Sequence, residues 1–218
     1  MRRVSQVYVY VVDRDFGFAP NPFHGCCTLA TCKPDIRKGA REGDWVIGVG
    51  GSRLKATGKC LFAMRVTSKL SFNQYWESSE FLDKKPIRTG SRKMMVGDNI
   101  YHFDAAKDQW RQADSHHSNA DGSINPHNLA TDTRIEFVLV SRHFYYFGKA
   151  APPFPSRLLS ELGYKNGRRH RVFDLDSCAG ILAWLENDFP DALNCVSADP
   201  FDFNLSEKRY SAANNRIS

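Results

Sequence analysis

No run of the 218 residues approaches the roughly 18 to 20 consecutive apolar side chains that a membrane-crossing helix needs. The opening Met1-Arg2-Arg3-Val4-Ser5 is basic but leads into no apolar segment, so it does not read as a secretory leader. The six cysteines, Cys26, Cys27, Cys32, Cys60, Cys178 and Cys195, show no framework spacing. In a chain of this length that pattern points to reduced thiols and a cytoplasmic protein rather than to disulfides. Familiar catalytic signatures are missing as well. There is no Gly-x-Ser-x-Gly elbow, no Ser-x-x-Lys, no dinucleotide-binding glycine fingerprint and no His-Glu-x-x-His. The glycine-rich stretch 48–58 carries Arg53 and Lys55, but its spacing is not that of a P-loop, and it reads first as a hairpin connection. His24 with Cys26, Cys27 and Cys32 offers ligands enough for zinc, yet strand alternation sends Cys26 and Cys27 to opposite faces. The sequence therefore assigns no metal site and specifies no cofactor.

What is present begins with charge. The net charge is +6, and the basic residues gather in 33–41, 53–59, 84–93 and 165–171. Clustered positive charge attracts polyanions, so a nucleotide, DNA or RNA is the expected partner and a membrane is not. With 42% hydrophobic and 12% aromatic residues the chain has material for a sizeable core.

The hydrophobic pattern predicts strands over 7–12, 26–31, 44–49, 59–66 and 135–141, with apolar character continuing through 144–147. Asp35 is placed to cap a short helix over 35–40. Ser71 caps a second, whose Phe72, Tyr75 and Trp76 read as core. Residues 99–103 and 109–112 are expected to pair as a hairpin. Helices are predicted over 156–163, capped by Ser156, and over 177–189. The polar tail after Pro200 reads as a loosely attached end. The expected fold is α+β, with a mixed, mostly antiparallel sheet curled into a small barrel and helices packed against it. Residues 5–170 are read as one domain, with 171–218 a helical extension and tail packed on the same domain.

Two polar loops carry the candidate chemistry. The first strand breaks into Asp13, Arg14, Asp15, Phe16, Asn21 and His24, with three Phe and two Pro between residues 13 and 23. A loop aimed by a strand end is a common place for function. The second loop, 114–133, holds three of the seven histidines, three aspartates and three asparagines. His titrates near neutrality, so His116, His117, Asp121 and Asp132 are candidates for proton transfer. The two loops are expected to converge on one pocket. In it Asp13, Asp15, His117 and Asp121 would be the acid–base groups. Arg14, Arg53 and Lys55 would meet phosphate, while Phe16, Asn21, His24, Trp45, Asn128 and Asp132 would complete the ligand-binding set by stacking or hydrogen bonding.

The residues also carry a resemblance. The run from Asp13 to Pro22, Thr28-Leu29-Ala30-Thr31-Cys32-Lys33-Pro34, and Gly43-Asp44-Trp45-Val46 resemble the second nucleotide-modification-associated domain family. So do His117-Ser118, Asp121-Gly122, Asn128-Leu129, Asp132-Thr133 and Tyr146-Phe147-Gly148. The resemblance implies the company of bacterial and phage systems that modify or restrict nucleotides, and supplies no reaction. A second similarity is architectural. The order of a short helix, Glu42-Gly43-Asp44, a strand, a loop and another strand is similar to barrels of the PUA, ASCH and EVE type, which implies a base held between barrel and helix. Together these imply recognition of a nucleotide or base, a modified base in particular, in a modification or defence system. The alternative is an enzyme that alters a nucleotide or base with Asp and His groups, with a divalent metal on the carboxylates as one form of it. A third is an interaction subunit whose basic face docks on DNA.

Overall fold

The computed structural model describes residues 4–217. Met1–Arg3, part of the segment read above as no secretory leader, and Ser218, the last tail residue, lie outside the described residues. The β-branched and aromatic run Gln6–Val12 forms β1. It is followed by Cys27–Leu29 (β2), the short helix Pro34–Gly39 (α1) and Trp45–Gly50 (β3). Strands β1 and β3 pair in parallel, Val7 opposite Trp45 and Val12 opposite Gly50. Parallel neighbours need a long crossover. Here residues 13–44 supply it, and that crossover carries much of the candidate chemistry.

From β3 the chain turns back as Cys60–Arg65 (β4) and bends after Val66-Thr67 into Ser68–Ser71 (β5). Ser71 then caps Phe72–Glu77 (α2) with a complete capping box, its hydroxyl accepting from the Gln74 N–H while the Gln74 side chain accepts from the Ser71 N–H. Arg92–Met95 (α3) precedes a hairpin of Tyr101–Asp104 (β6) and Gln109–Gln112 (β7), close to the bounds predicted. Pro126–Asp132 (α4) leads into Phe137–Ser141 (β8), and only Arg142 separates it from His143–Tyr146 (β9). Ser156–Glu161 (α5), His170–Asp174 (β10), Ala179–Asp188 (α6), Tyr210–Ser211 (β11) and Arg216–Ile217 (β12) complete the chain. Pro155, not Ser156, occupies the cap position of α5, and no side chain caps that helix.

The strands form a five-stranded sheet in the order β10-β1-β3-β4-β9 and a three-stranded sheet in the order β2-β8-β5, with β6–β7 and β11–β12 as separate pairs. All pairings except β1–β3 are antiparallel. The two larger sheets share corners, because β4 runs on into β5 and β8 runs on into β9. They do not close into a ring. Among the described residues β10 and β9 remain edges of one sheet, and β2 and β5 of the other. The α+β, mostly antiparallel expectation holds, and no closed barrel is present among the described residues. Strand β2, three residues long, meets only an isolated bridge from Asn21 on its free side.

Strand β1 is buried on both faces: Val7, Tyr8, Val9 and Tyr10 are each no more than 4% exposed. Burial of this run at roughly 25 cal/mol per Å² makes the parallel pair the stiff centre of the molecule. The segment beyond β10 packs on the same core, with Ile181 and Leu185 of α6 buried in it. The tail is not loosely attached. Arg88 donates to the carbonyls of Ser206 and Glu207, and Asn128 donates to that of Tyr210.

Candidate active site

At the C-terminal end of β1, a cavity of about 390 Å³ opens between the crossover, the 114–125 loop, α4 and the C-terminal segment. Open sheets bind ligands beyond the carboxyl ends of parallel strands, because the chain diverges there into loops. Three side chains from distant parts of the sequence meet in its wall. Cys32 follows β2 and sits with Lys33 in the left-handed region, at φ 57° and 38°. Neither residue is glycine, so both carry local strain, a condition concentrated at functional sites. Asp132 is the last residue of α4, whose start is fixed by Pro126 and by the Asn125 side chain accepting from the Asn128 N–H at 3.0 Å. His117 comes from a loop held by the hydroxyls of Ser115 and Ser118.

The contacts form a chain. His117 Nδ1 lies 2.6 Å from Asp132 Oδ2, and His117 Nε2 lies 3.9 Å from Cys32 Sγ. Asp132 Oδ1 accepts the Cys32 backbone N–H at 2.8 Å, and Tyr101 OH donates to Oδ2 at 3.0 Å. Buried Arg37 braces the scaffold, donating to the carbonyls of Cys32, Asp132, Ile135 and Phe137 at 2.6–2.9 Å. A thiol, an imidazole and an orienting carboxylate in hydrogen-bond order are a known arrangement for thiol chemistry.

The electrostatics separate two adjacent histidines. Burial by itself would lower the His117 pKa, but the Asp132 carboxylate and Cys32 override it and raise it to about 10. Burial would raise Asp132, yet His117 and Arg37 hold it below the usual carboxylate range. His116, stacked beside His117 with ring centroids 5.8 Å apart, is driven down to about 3 by burial and by the neighbouring charge. Its Nδ1 lies 2.7 Å from the Lys208 carbonyl, an acceptor, so the neutral ring carries its proton there. At neutral pH the site therefore holds one imidazolium and one neutral imidazole.

Cys32, His117 and Asp132 each place a ligand atom within 4.8 Å of the others. They fit a metal poorly as arranged. Asp132 Oδ2 already meets His117 and Tyr101 and Oδ1 accepts the Cys32 N–H, which leaves Sγ, Nε2 and at most the second lone pair of Oδ1 to coordinate an ion.

Of the residues singled out by sequence, Asp13, Arg14, Phe16, His116, His117, Asn128 and Asp132 line the cavity. Two of them, Arg14 and Asn128, are engaged within the protein. The Arg14 guanidinium is held by Asn215, through the side-chain oxygen at 2.6 Å and the carbonyl at 2.8 Å. Asn128 is a brace: its amide donates to the His117 and Tyr210 carbonyls, and its Oδ1 accepts the Ala212 N–H at 2.7 Å.

The remaining expected residues lie outside the cavity lining. Asp15 is buried, accepts from Tyr146 OH and from the Phe201 N–H, and is raised by burial to about 6. It ties the C-terminal segment to the core. Asn21 is buried between Lys84, the Phe23 N–H and the Val96 carbonyl. Trp45 is core, edge-on to His143. His24 sits on an exposed turn, as do Arg53 and Lys55. Asp121 is exposed and caps its own turn by accepting from Ser123.

The sequence reading passed over Cys32 as anything but a weak zinc ligand, because 85 and 100 residues separate it from His117 and Asp132. It also missed Tyr10, Lys33, Tyr210 and Asn215, which line the cavity with Phe18. Tyr10 OH and Arg14 Nε are buried there without a hydrogen-bond partner. Buried polar atoms are normally satisfied, so these two mark unmet hydrogen-bonding capacity in residues of the cavity wall.

A sequence model described as nucleotide modification associated domain 2 matches residues 4–207. No curated protein and no solved structure matches the chain.

Proposed function

This chain belongs to the nucleotide modification associated domain 2 family, and on that premise we propose that it is a thiol enzyme that modifies a nucleotide base. The observation that carries the reading is the Cys32–His117–Asp132 chain in the wall of a ligand-sized cavity. Cys32 Sγ is the nucleophile. As its C–S bond to an electrophilic carbon of the base forms, the C=N or C=C π bond opens and takes the Nε2 proton of the His117 imidazolium. His117 recovers the proton released from Sγ, so the step ends in a neutral covalent adduct of base and Cys32. Asp132 holds the ring through Nδ1 and keeps Nε2 aimed at sulfur, a positioning role. Phe16, Phe18 and Tyr210 supply faces on which a planar base stacks. Tyr10 OH and Arg14 Nε are the free polar groups that read its edge. The nucleophile needs a reduced thiol, which fits the cytoplasm, and the family's name fits a bacterial or phage modification or defence setting.

Two free hydrogen-bond groups amid aromatic rings also favour recognition of a base without chemistry. One experiment separates the readings. Wild-type protein and Cys32→Ser are incubated with a panel of nucleotides and oligonucleotides. Products are followed by mass spectrometry, and binding by thermal shift. The enzyme reading predicts a product from wild type only, with both proteins stabilised by the same ligand. Equal product from Cys32→Ser contradicts it. Stabilisation of both proteins with no product leaves a base reader.

A further inference from the structure

Three basic segments far apart in sequence come to the end of the sheet at which the cavity opens. Lys33, itself a lining residue, holds its Nζ 4.5 Å over the ring of Tyr10. Arg53 and Lys55 stand on the turn that follows Gly51, whose N–H bonds the Val12 carbonyl at 2.9 Å, beside Asp13. The third segment, Lys165 to Arg169, leads into β10, which starts with His170 directly opposite Tyr10. Its Asn166 side chain donates to the Gly50 carbonyl at 3.1 Å, which fastens the segment to the same end of the sheet. Lys33, Arg53, Lys55, Lys165, Arg168 and Arg169 are all exposed. Among the described residues none of the six is ion-paired with a carboxylate. The acids in the cavity lining are Asp13 and Asp132, the latter paired with His117, and Asp35 nearby is paired with Arg134 at 2.9 Å.

One phosphate of a free nucleotide meets one or two of these cations. Six at this end of the sheet, one of them in the cavity lining, match a run of phosphodiesters, whose charge recurs along a strand. We infer that the substrate is a single-stranded nucleic acid that lays its backbone across this end of the sheet while one nucleotide enters the cavity. The inference rests on the cavity being the nucleotide site. It names the polymer as the substrate class and the Lys33, Arg53–Lys55 and Lys165–Arg169 rim as the track.

The test is fluorescence anisotropy of a labelled mixed-sequence 15-mer of single-stranded DNA, titrated with the full chain across salt concentrations. Wild type is compared with the triple variant Arg53→Glu, Arg168→Glu, Arg169→Glu. A control carries the same charge change at Lys93, Lys107 and Lys149, on α3, on the β6–β7 hairpin and beyond β9. Wild-type affinity should fall with salt, with a log–log slope of about −0.7 per phosphate neutralised. The rim variant should bind at least about tenfold more weakly, and the control should stay near wild type. Equal affinity of rim variant and wild type, an equal loss in the control, or tighter binding of the matching duplex overturns the inference. The same oligonucleotide as RNA decides which polymer is preferred. Protection of Cys32 from iodoacetamide by a mononucleotide, read by peptide mass spectrometry, should persist in the rim variant. Loss of protection in wild type would instead count against the cavity as the nucleotide site.

Discussion

At the scale of single residues, the decisive fact is that His117 and His116, adjacent in sequence, are held in opposite charge states. The pH dependence of stability follows from their shifts. His117 is raised to about 10, so its contribution is full below 6.5 and is lost as pH rises through 10. His116 is lowered to about 3, so the folded state loses stability as pH falls from 6.5 towards 3, where the unfolded chain takes a proton that the folded one refuses. The pair therefore favours stability near pH 6 to 7. Urea midpoints measured across pH should show the acid limb flatten in His116→Asn and the alkaline limb flatten in His117→Asn. Asp132→Asn tests the other end of the chain. Removing the negative partner of a buried imidazolium should cost about 3 kcal/mol or more at pH 7, measured by denaturant unfolding. The residue types of this cluster were legible in sequence, since His117 and Asp132 were singled out. Cys32 was not, because a thiol 85 residues from its histidine leaves no local spacing to read.

At the scale of elements, local rules and long-range packing part company. The Ser71 capping box, the β6–β7 hairpin and the β1 strand follow from short-range signals, and the structure places them close to expectation. Ser71→Ala should cost about 1 kcal/mol and leave Cys32 reactivity unchanged, with denaturation and alkylation as the two readouts. The corners joining β4 to β5 and β8 to β9 were not legible, because β5 is a short, mostly polar, half-buried strand and Ser141-Arg142-His143 reads as a polar break. Arg37 shows the same limit. A charged residue in a short basic helix reads as solvated, yet it is fully buried and donates to four carbonyls. Arg37→Ala strands those acceptors and should destabilise by about 3 kcal/mol or more. It should also slow Cys32 alkylation, because both Cys32 and Asp132 lose their brace.

At the scale of the whole molecule, the C-terminal segment is part of the site. Tyr210, Ala212 and Asn215 wall the cavity, Asn215 occupies the Arg14 guanidinium, and Arg209 binds Asp114 and Ser118. A polar, Asn-rich tail gives no sign of this, because its bonds run to groups 80 to 200 residues away. Truncation after Glu207 should lower stability, since it strips the Lys208 carbonyl from His116 and the Tyr210 and Ala212 backbone groups from Asn128. It should speed Cys32 alkylation several-fold by opening the cavity and freeing Arg14.

The central claim is that His117 and Asp132 make Cys32 the reactive thiol of this protein. Cys26, Cys27, Cys60 and Cys178 are buried, so only Cys32 and Cys195 compete for a soluble reagent. The direct measurement is the rate of iodoacetamide alkylation at each cysteine at pH 7, followed by peptide mass spectrometry in wild type and His117→Ala. Cys32 is predicted to react faster than the more exposed Cys195 and to slow about tenfold or more when His117 is removed. Cys32 reacting no faster than Cys195, with the same rate in His117→Ala, would contradict the account.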